Sequence, residues 1–338
     1  IHDVALVLHN TDKQPHNDSP VPVHLPLGKE GLGAGNKPEK GRQEAEDSEE
    51  EIKHMLNDGT KMVFITAGMG GGTGTGAGPV VARIAKEMGI LTVGIVTIPF
   101  LFERERQIDK ALDGLDALAK EVDALLVINN QRLIDIYPEL SVINGFRIAD
   151  QTLSTAVRSI TEIISMHGRV NLDFEDVKTV LTQGGVAVMS TGYAEGDGRV
   201  GRAIEQALRS PLLNNNDVYS ADRILIAVTM SRDEQQMLTM REMNEITAFM
   251  ERFNPDIVTK WGLAQDDSLG DKVKVTILAS GFGLYARKER AHQSRKELKN
   301  IDAEQAQRYE ERRSRFYATQ GRPQHRRPRV HIFSTADL

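Results

Sequence analysis

Residues 61–89 read KMVFITAGMGGGTGTGAGPVVARIAKEMG, and the fold class follows from how this stretch changes character along its length. Met62 to Ala67 is short, apolar and β-branched, the composition of a buried strand. Between Gly68 and Gly78 side chains almost vanish: Gly68, Gly70, Gly71, Gly72, Gly74, Gly76 and Gly78 are separated by little more than Thr73 and Thr75. Such a run lets the main chain take positive φ and bring its N–H groups close to a ligand. Pro79 suits the first position of a helix and Gly89 the residue after its end, so the spacing predicts a helix over Pro79 to Met88. Strand, glycine loop and helix N-terminus in that order make a cradle for phosphate, because oriented N–H groups and the positive end of the helix dipole converge there.

Two common nucleotide motifs do not fit this loop. A P-loop ends in Gly-Lys followed by Ser or Thr, and no Gly-Lys pair follows here; a dinucleotide fingerprint with glycines at i, i+2 and i+5 fails in every register. The segment Gly70 to Gly76, GGGTGTG, instead resembles the signature of the tubulin/FtsZ family, and Thr75 is the variant of the FtsZ branch. The resemblance implies an α/β, tubulin/FtsZ-like fold: a Rossmann-like GTP-binding domain joined by a long central helix to a second α/β domain. It also implies GTP or GDP as substrate and ligand, with Mg2+ accompanying the nucleotide and no metal site built from protein side chains.

Composition sets the outer bounds. At 338 residues, 40% hydrophobic and 27% charged, the chain can bury two ordinary cores. It has no cysteine, which excludes disulfides and thiolate metal sites and suits a reducing cytoplasm. The longest mostly apolar stretch, Ile90 to Phe102, is broken by Pro99 and is too short to span a bilayer. Nothing resembles a signal peptide.

Ahead of the glycine loop, Val4 to Leu8 reads as a strand leading into the polar turn Asn10-Thr11-Asp12, and Gly31 to Asn36 is a second glycine-rich loop before an acidic helix, Glu44 to Leu56. By resemblance, the turn (with Asn10) and the loop (with Gly35) line the nucleotide, as do Gly70, Gly71, Gly72, Thr73, Gly74, Thr75 and Gly76. Leu91 to Thr97 is the next strand, and Pro99 to Glu103 leads from it to a charged helix. The family has a glycine after the glutamate and a basic residue beyond it, so Glu103 and Arg106 are carried over as ribose and phosphate contacts, with Arg104 standing where glycine is expected.

Asn144 to Met166 reads as a long helix, with Leu153, Val157, Ile160 and Ile164 on one face. Phe146 and Asp150, four residues apart, are neighbours on its surface. A ring can stack on a base while a carboxylate accepts from N1 and N2 of guanine, and GFRIADQ resembles the family's guanine-reading helix start. Beyond the helix, Asn171-Leu172-Asp173-Phe174-Glu175-Asp176 has Asp173 and Asp176 spaced to cap the next helix. The same N-x-D-x-x-D spacing resembles the family's catalytic loop, which implies Asn171, Asp173 and Asp176 as residues that orient the attacking water at the nucleotide of an adjoining subunit.

The remainder reads as a second α/β unit, with strands at 186–193, 223–230, 257–261 and 273–280, helices at 200–210 and 240–253, and a capping box between Thr239 and Glu242. The predicted layout is a GTP-binding domain at 1–143, the central helix at 144–167, a second domain at 168–283 and a basic tail at 284–338. Between Leu284 and His331 the tail carries fourteen Lys and Arg against six acids, the composition of a solvated linker. It offers no folded motif for specific nucleic-acid binding and no segment for membrane insertion.

The resemblance runs from Ala5 to about Gly283. It implies a cytoplasmic cell-division GTPase that assembles head to tail with itself at mid-cell and meets membrane-tethering and division proteins through its C-terminal tail. One departure is large: the family's first strand and first glycine loop have no counterpart here, so the sequence is expected to be a piece of a longer protein. A non-catalytic guanine-nucleotide-binding scaffold is the rival reading. A dinucleotide-using oxidoreductase is disfavoured by the failed fingerprint.

Overall fold

The apolar run after Ile90 becomes β4 (Leu91–Ile98), every residue of which is buried. That is the signature of a parallel strand covered on both faces. The computed structural model describes residues 4–14, 19–137, 139–166, 168–210 and 218–282, together with Glu311. Ahead of β4 lie β1 (Val7–Asn10), β2 (Val23–Pro26), α1 (Pro38–Asp47), α2 (Glu49–Leu56), β3 (Met62–Gly68) and α3 (Thr73–Glu87). After it come α4 (Glu105–Glu121), β5 (Ala124–Asn129), α5 (Gln131–Ile136), α6 (Val142–Ser165), β6 (Gly168–Val170), α7 (Phe174–Leu181), β7 (Gly185–Glu195) and α8 (Arg199–Leu208). The last elements are β8 (Arg223–Met230), α9 (Met240–Met250), β9 (Val258–Gln265) and β10 (Lys272–Phe282).

Among the described residues, β1 and β2 form a separate parallel pair, and the other strands form one sheet in the order β3-β4-β5-β7-β10-β8-β9-β6. The run from β3 to β7 is parallel; β10 is antiparallel to both β7 and β8. One cluster of buried side chains lies between α2, α3, α4 and the first strands, and a second between α8, α9 and the last strands. A third joins the two halves, with Ala156 and Ile160 of α6 and Val177 and Leu181 of α7 packed on Val93, Ile95, Met189, Leu225 and Leu278. An ion pair of 2.6 Å between Glu162 of α6 and Lys274 of β10 also fixes the central helix to the far half of the sheet.

Several sequence expectations shift. The phosphate-loop helix begins at Thr73, six residues ahead of the predicted Pro79, so Pro79 lies inside it. The glycines tolerate this because they are where other backbone comes close: a Cβ on Gly76 would lie 2.0 Å from the Pro38 carbonyl oxygen, and one on Gly74 2.5 Å from that of Gly68. Close packing thus outweighs the poor helix propensity of glycine. The acidic helix divides at Ser48, whose hydroxyl donates to Glu44 O and accepts from Gly28 N–H. The long helix starts at Val142, capped by Ser141 accepting from Asn144 N–H, and ends at Ser165. Thr239 and Glu242 form the predicted capping box of α9. The tail beyond residue 283 lies outside the described residues, save Glu311.

Arg199, 6% exposed, is the principal polar tie of the second half. It bonds Glu242 at 2.7 Å and donates to the carbonyls of Gln236, Met237 and Asp271. Burial would by itself raise the Glu242 carboxyl, but the hydrogen bonds from Arg199 and Thr239 outweigh it and hold it below the ordinary value. Arg199→Met is expected to cost about 3 kcal/mol in denaturant unfolding, since it leaves the part-buried Glu242 carboxylate without its cation and the carbonyls of Gln236, Met237 and Asp271 without their donor. Because the Glu242 pKa is depressed on folding, its contribution is present above the usual carboxylate pKa and lost as pH falls through the lowered value. The stability gap between parent and variant should therefore narrow in that acid range.

Candidate functional site

The loop after β3 is built from the backbone outward. Met69 N–H donates to Thr97 O, and Gly70 N–H donates to the hydroxyl of Thr75, which is buried in the first turn of α3. Gly70, at φ +106°, needs a glycine conformation and packs against Gln107 of α4. Gly72 is tightly enclosed: a Cβ there would lie 2.7 Å from Ala34 Cβ and 2.9 Å from Lys37 N. Gly71 is different, because a Cβ added there meets nothing within 4 Å. Since α3 starts at Thr73, the N–H groups of Thr73, Gly74 and Thr75 have no acceptor in the preceding turn of the helix and remain available to an anion.

The neighbouring loops close on this one. Thr11 is buried and its hydroxyl is 2.8 Å from that of Thr73, tying the 10–12 turn to the phosphate loop. Asn10 Oδ1 accepts from Asp12 N–H, while Gly33 N–H donates to Thr11 O. Gly35 takes a left-handed φ of +57° beside Asn36 at the same value, which turns the chain into α1. From α4, Gln107 accepts from the Asn36 side chain and Lys110 donates to Asn36 O at 2.7 Å.

Glu103 is turned back onto the chain, accepting from Phe100 N–H, and partial burial raises its carboxyl despite that bond. Arg104 has φ +75° and ψ 147°, a region reserved almost wholly for glycine. Arginine thus stands in a backbone conformation suited to the glycine that the family resemblance implies at this position. Arg106 is exposed, and it is Gln107, one residue on, that meets the phosphate loop. Phe146 and Asp150 lie exposed on α6 as predicted, and Phe146 stands edge-on to Phe100 and Phe102, with centroids 5.1 and 6.5 Å away.

Asn171, Asp173 and Asp176 are elsewhere. α6 has 24 residues, which at roughly 1.5 Å each separates its ends by about 36 Å, and these three follow its far end. Asn171 Oδ1 accepts from Gly168 N–H at 2.8 Å. Asp173 and Asp176 form a reciprocal cap on α7, each side chain accepting from the other's backbone N–H. Asp176 also meets Lys260 of β9 at 2.8 Å. Burial opposes its charge, but the bonds from Lys260 and Asp173 N–H prevail and lower its carboxyl. Thr11, Gln107, Lys110 and Lys260 are contacts that sequence reading did not assign. The first belonged to a turn already noted, and Gln107 and Lys110 share a helix face, whereas Lys260 has no local signal.

A mixed sheet with helices against it, and a glycine loop leading from β3 into the N-terminus of α3, is the architecture of the α/β nucleotide-binding class. The Tubulin/FtsZ family GTPase domain matches residues 2–138 and the FtsZ family C-terminal domain matches residues 185–283, so the chain belongs to the tubulin/FtsZ family of GTPases. It is 51% identical to the cell division protein FtsZ of Porphyromonas gingivalis over 86% of this chain and 64% of that protein. The corresponding Coxiella burnetii protein is 40% identical over 85% of this chain and 74% of its own length. An empty FtsZ dimer from M. jannaschii superposes with TM-score 0.73 at 38% identity, covering 81% of this chain and 80% of that one.

Arg104→Gly is expected to stabilise the protein by about 1 kcal/mol, the relief of a strained φ less the added freedom of glycine in the unfolded chain. Urea titration of parent and variant measures it.

Proposed function

We propose that this chain binds GTP in the cradle at the start of α3 and hydrolyses it only when a second copy stacks head to tail upon it. One observation carries the reading: the N–H cradle and the paired acids of α7 stand at opposite ends of a 24-residue helix. A single subunit cannot bring them together, but a translated copy can, and a contact of that heterologous kind generates an open filament. The relative from M. jannaschii, described as a dimer, supports self-association.

In this reading residues 1–143 hold the nucleotide, α6 is the spacer and residues 168–283 present the acids. The N–H groups around Gly71 and the first turn of α3 receive the phosphates, Asp150 accepts from the guanine edge, and Phe146 offers its face to the base. Glu103, Asn10 and Gly35 border the sugar and phosphates, and Arg106 reaches them only if its side chain folds inward. A Mg2+ ion carried with the triphosphate would neutralise its charge. Asp173 and Asp176, with Asn171 fixing the loop, would orient the attacking water at the γ-phosphate of the adjoining subunit and accept its proton. The filament would form at the cytoplasmic mid-cell division site, with the basic tail leading to tethering and division proteins.

Because the Gly71 position opens on empty space, Gly71→Ala should leave the circular dichroism and thermal midpoint unchanged while lowering GTP affinity about tenfold or more, as measured by equilibrium binding. In the full-length protein, Asp176→Asn should bind GTP as the parent does but release phosphate at least about a hundredfold more slowly. Parent turnover per subunit should rise steeply with protein concentration. A rate independent of concentration in a protein that sedimentation shows to be monomeric would refute the shared site.

A further inference from the structure

The acid loop does not hold itself in place unaided. β9 pairs with β6, the short strand that leads into the loop, and two residues on one face of β9 meet the loop directly. A Cβ on Gly262 would lie 2.6 Å from Leu172 Cγ and 2.9 Å from Val170 O, so the strand leaves a gap that Leu172 fills. Two residues earlier, and therefore on the same face, Lys260 extends to Asp176. Lys-x-Gly of β9 thus acts as a mould, with Leu172 seated over the glycine and Asp176 over the lysine.

The ion pair completes the occupancy of one carboxylate. Asp176 Oδ1 faces Lys260 Nζ at 2.8 Å, and Oδ2 accepts from Asp173 N–H at 3.1 Å. Both oxygens are committed, so the plane of the carboxylate is set before any partner arrives. Asp173 has Oδ1 on Asp176 N–H and is exposed. The other charges on this turn, Glu175 and Lys178, pair with one another at 3.3 Å and leave Lys260 as the cation on Asp176.

We propose that Lys260 is a positioning residue for GTP hydrolysis: through its ion pair it holds Asp176 ionised and in one orientation, so that the loop enters the adjoining subunit's site already arranged. This rests on the proposed shared-site GTPase. Lys260 need not touch nucleotide; it acts through Asp176. Consistent with the geometry, the pair lowers the Asp176 carboxyl and raises the Lys260 ammonium.

The test uses the full-length protein and reads phosphate release per assembled subunit, with assembly followed by sedimentation. Lys260→Met should assemble with GTP yet turn over about tenfold more slowly, the scale on which a slightly misplaced reacting group is felt. Lys260→Arg should recover most of the rate, and Lys260→Gln, which keeps a donor without charge, should fall between. In an Asp176→Asn background, Lys260→Met should have almost no further effect, since residues acting as one unit are not additive. Parent-like turnover in both Lys260→Met and Lys260→Gln would overturn the proposal, as would a full tenfold loss on top of Asp176→Asn. Should Lys260→Met fail to fold, Lys260→Gln and Lys260→Arg carry the same comparison. A parent that shows no concentration-dependent turnover would instead defeat the shared-site reading itself, so the two failures are distinct.

Discussion

Backbone meeting backbone at the start of α3 is the contact on which the rest of the nucleotide half depends. Gly41 of α1 comes within 2.4 Å, measured from a would-be Cβ, of the Gly72 carbonyl oxygen, and Gly76 of α3 stands as close to Pro38. Side chains at these positions would push α1 off α3 and carry the 31–36 loop away with it. With hydrogen in their place, the 10–12 turn, the 31–36 loop and the glycine loop close on one another at the start of α3. The helix can then begin at Thr73 with its first N–H groups directed toward their meeting point.

The same arrangement explains what could and could not be read from sequence. The strand before the loop, the buried strand after it and the long amphipathic helix were legible because local apolar patterns fix them. The Asp173 cap and the Thr239–Glu242 box were legible because their partners are three residues apart. The start of α3 was not, since glycine propensity argues against a helix and only the tertiary approach of α1 reverses that argument. The division of the acidic helix at Ser48 likewise depends on Gly28, twenty residues upstream, donating to its hydroxyl.

For the candidate site, Phe146 and Asp150 lie on the long helix where a local reading put them, whereas of Gly70 to Gly76 only Gly70, Gly71 and Gly72 stay in the loop and the rest open α3. The Glu103 segment was harder, because its register turned on one residue. Arg104 takes a backbone conformation that favours glycine, and Gln107, not the exposed Arg106, touches the neighbouring loops. Lys260 was invisible, being 84 residues from the carboxylate it meets and set in a strand whose other positions read as ordinary sheet.

The reciprocal cap of Asp173 and Asp176 has a consequence for how variants of this loop are interpreted. The two acids form a small closed ring through each other's amides, so the start of a helix and the proposed chemistry draw on the same two carboxylates. Truncating either residue to alanine opens that ring and frays the first turn of α7, which also packs into the core shared by both halves of the sheet. Loss of activity in such a variant would mix a chemical defect with a mechanical one. Asparagine keeps one acceptor at each position, enough for the cap on the other residue's amide; at Asp176 it gives up the contact with Lys260 together with the charge, but it spares the helix start and so separates the two.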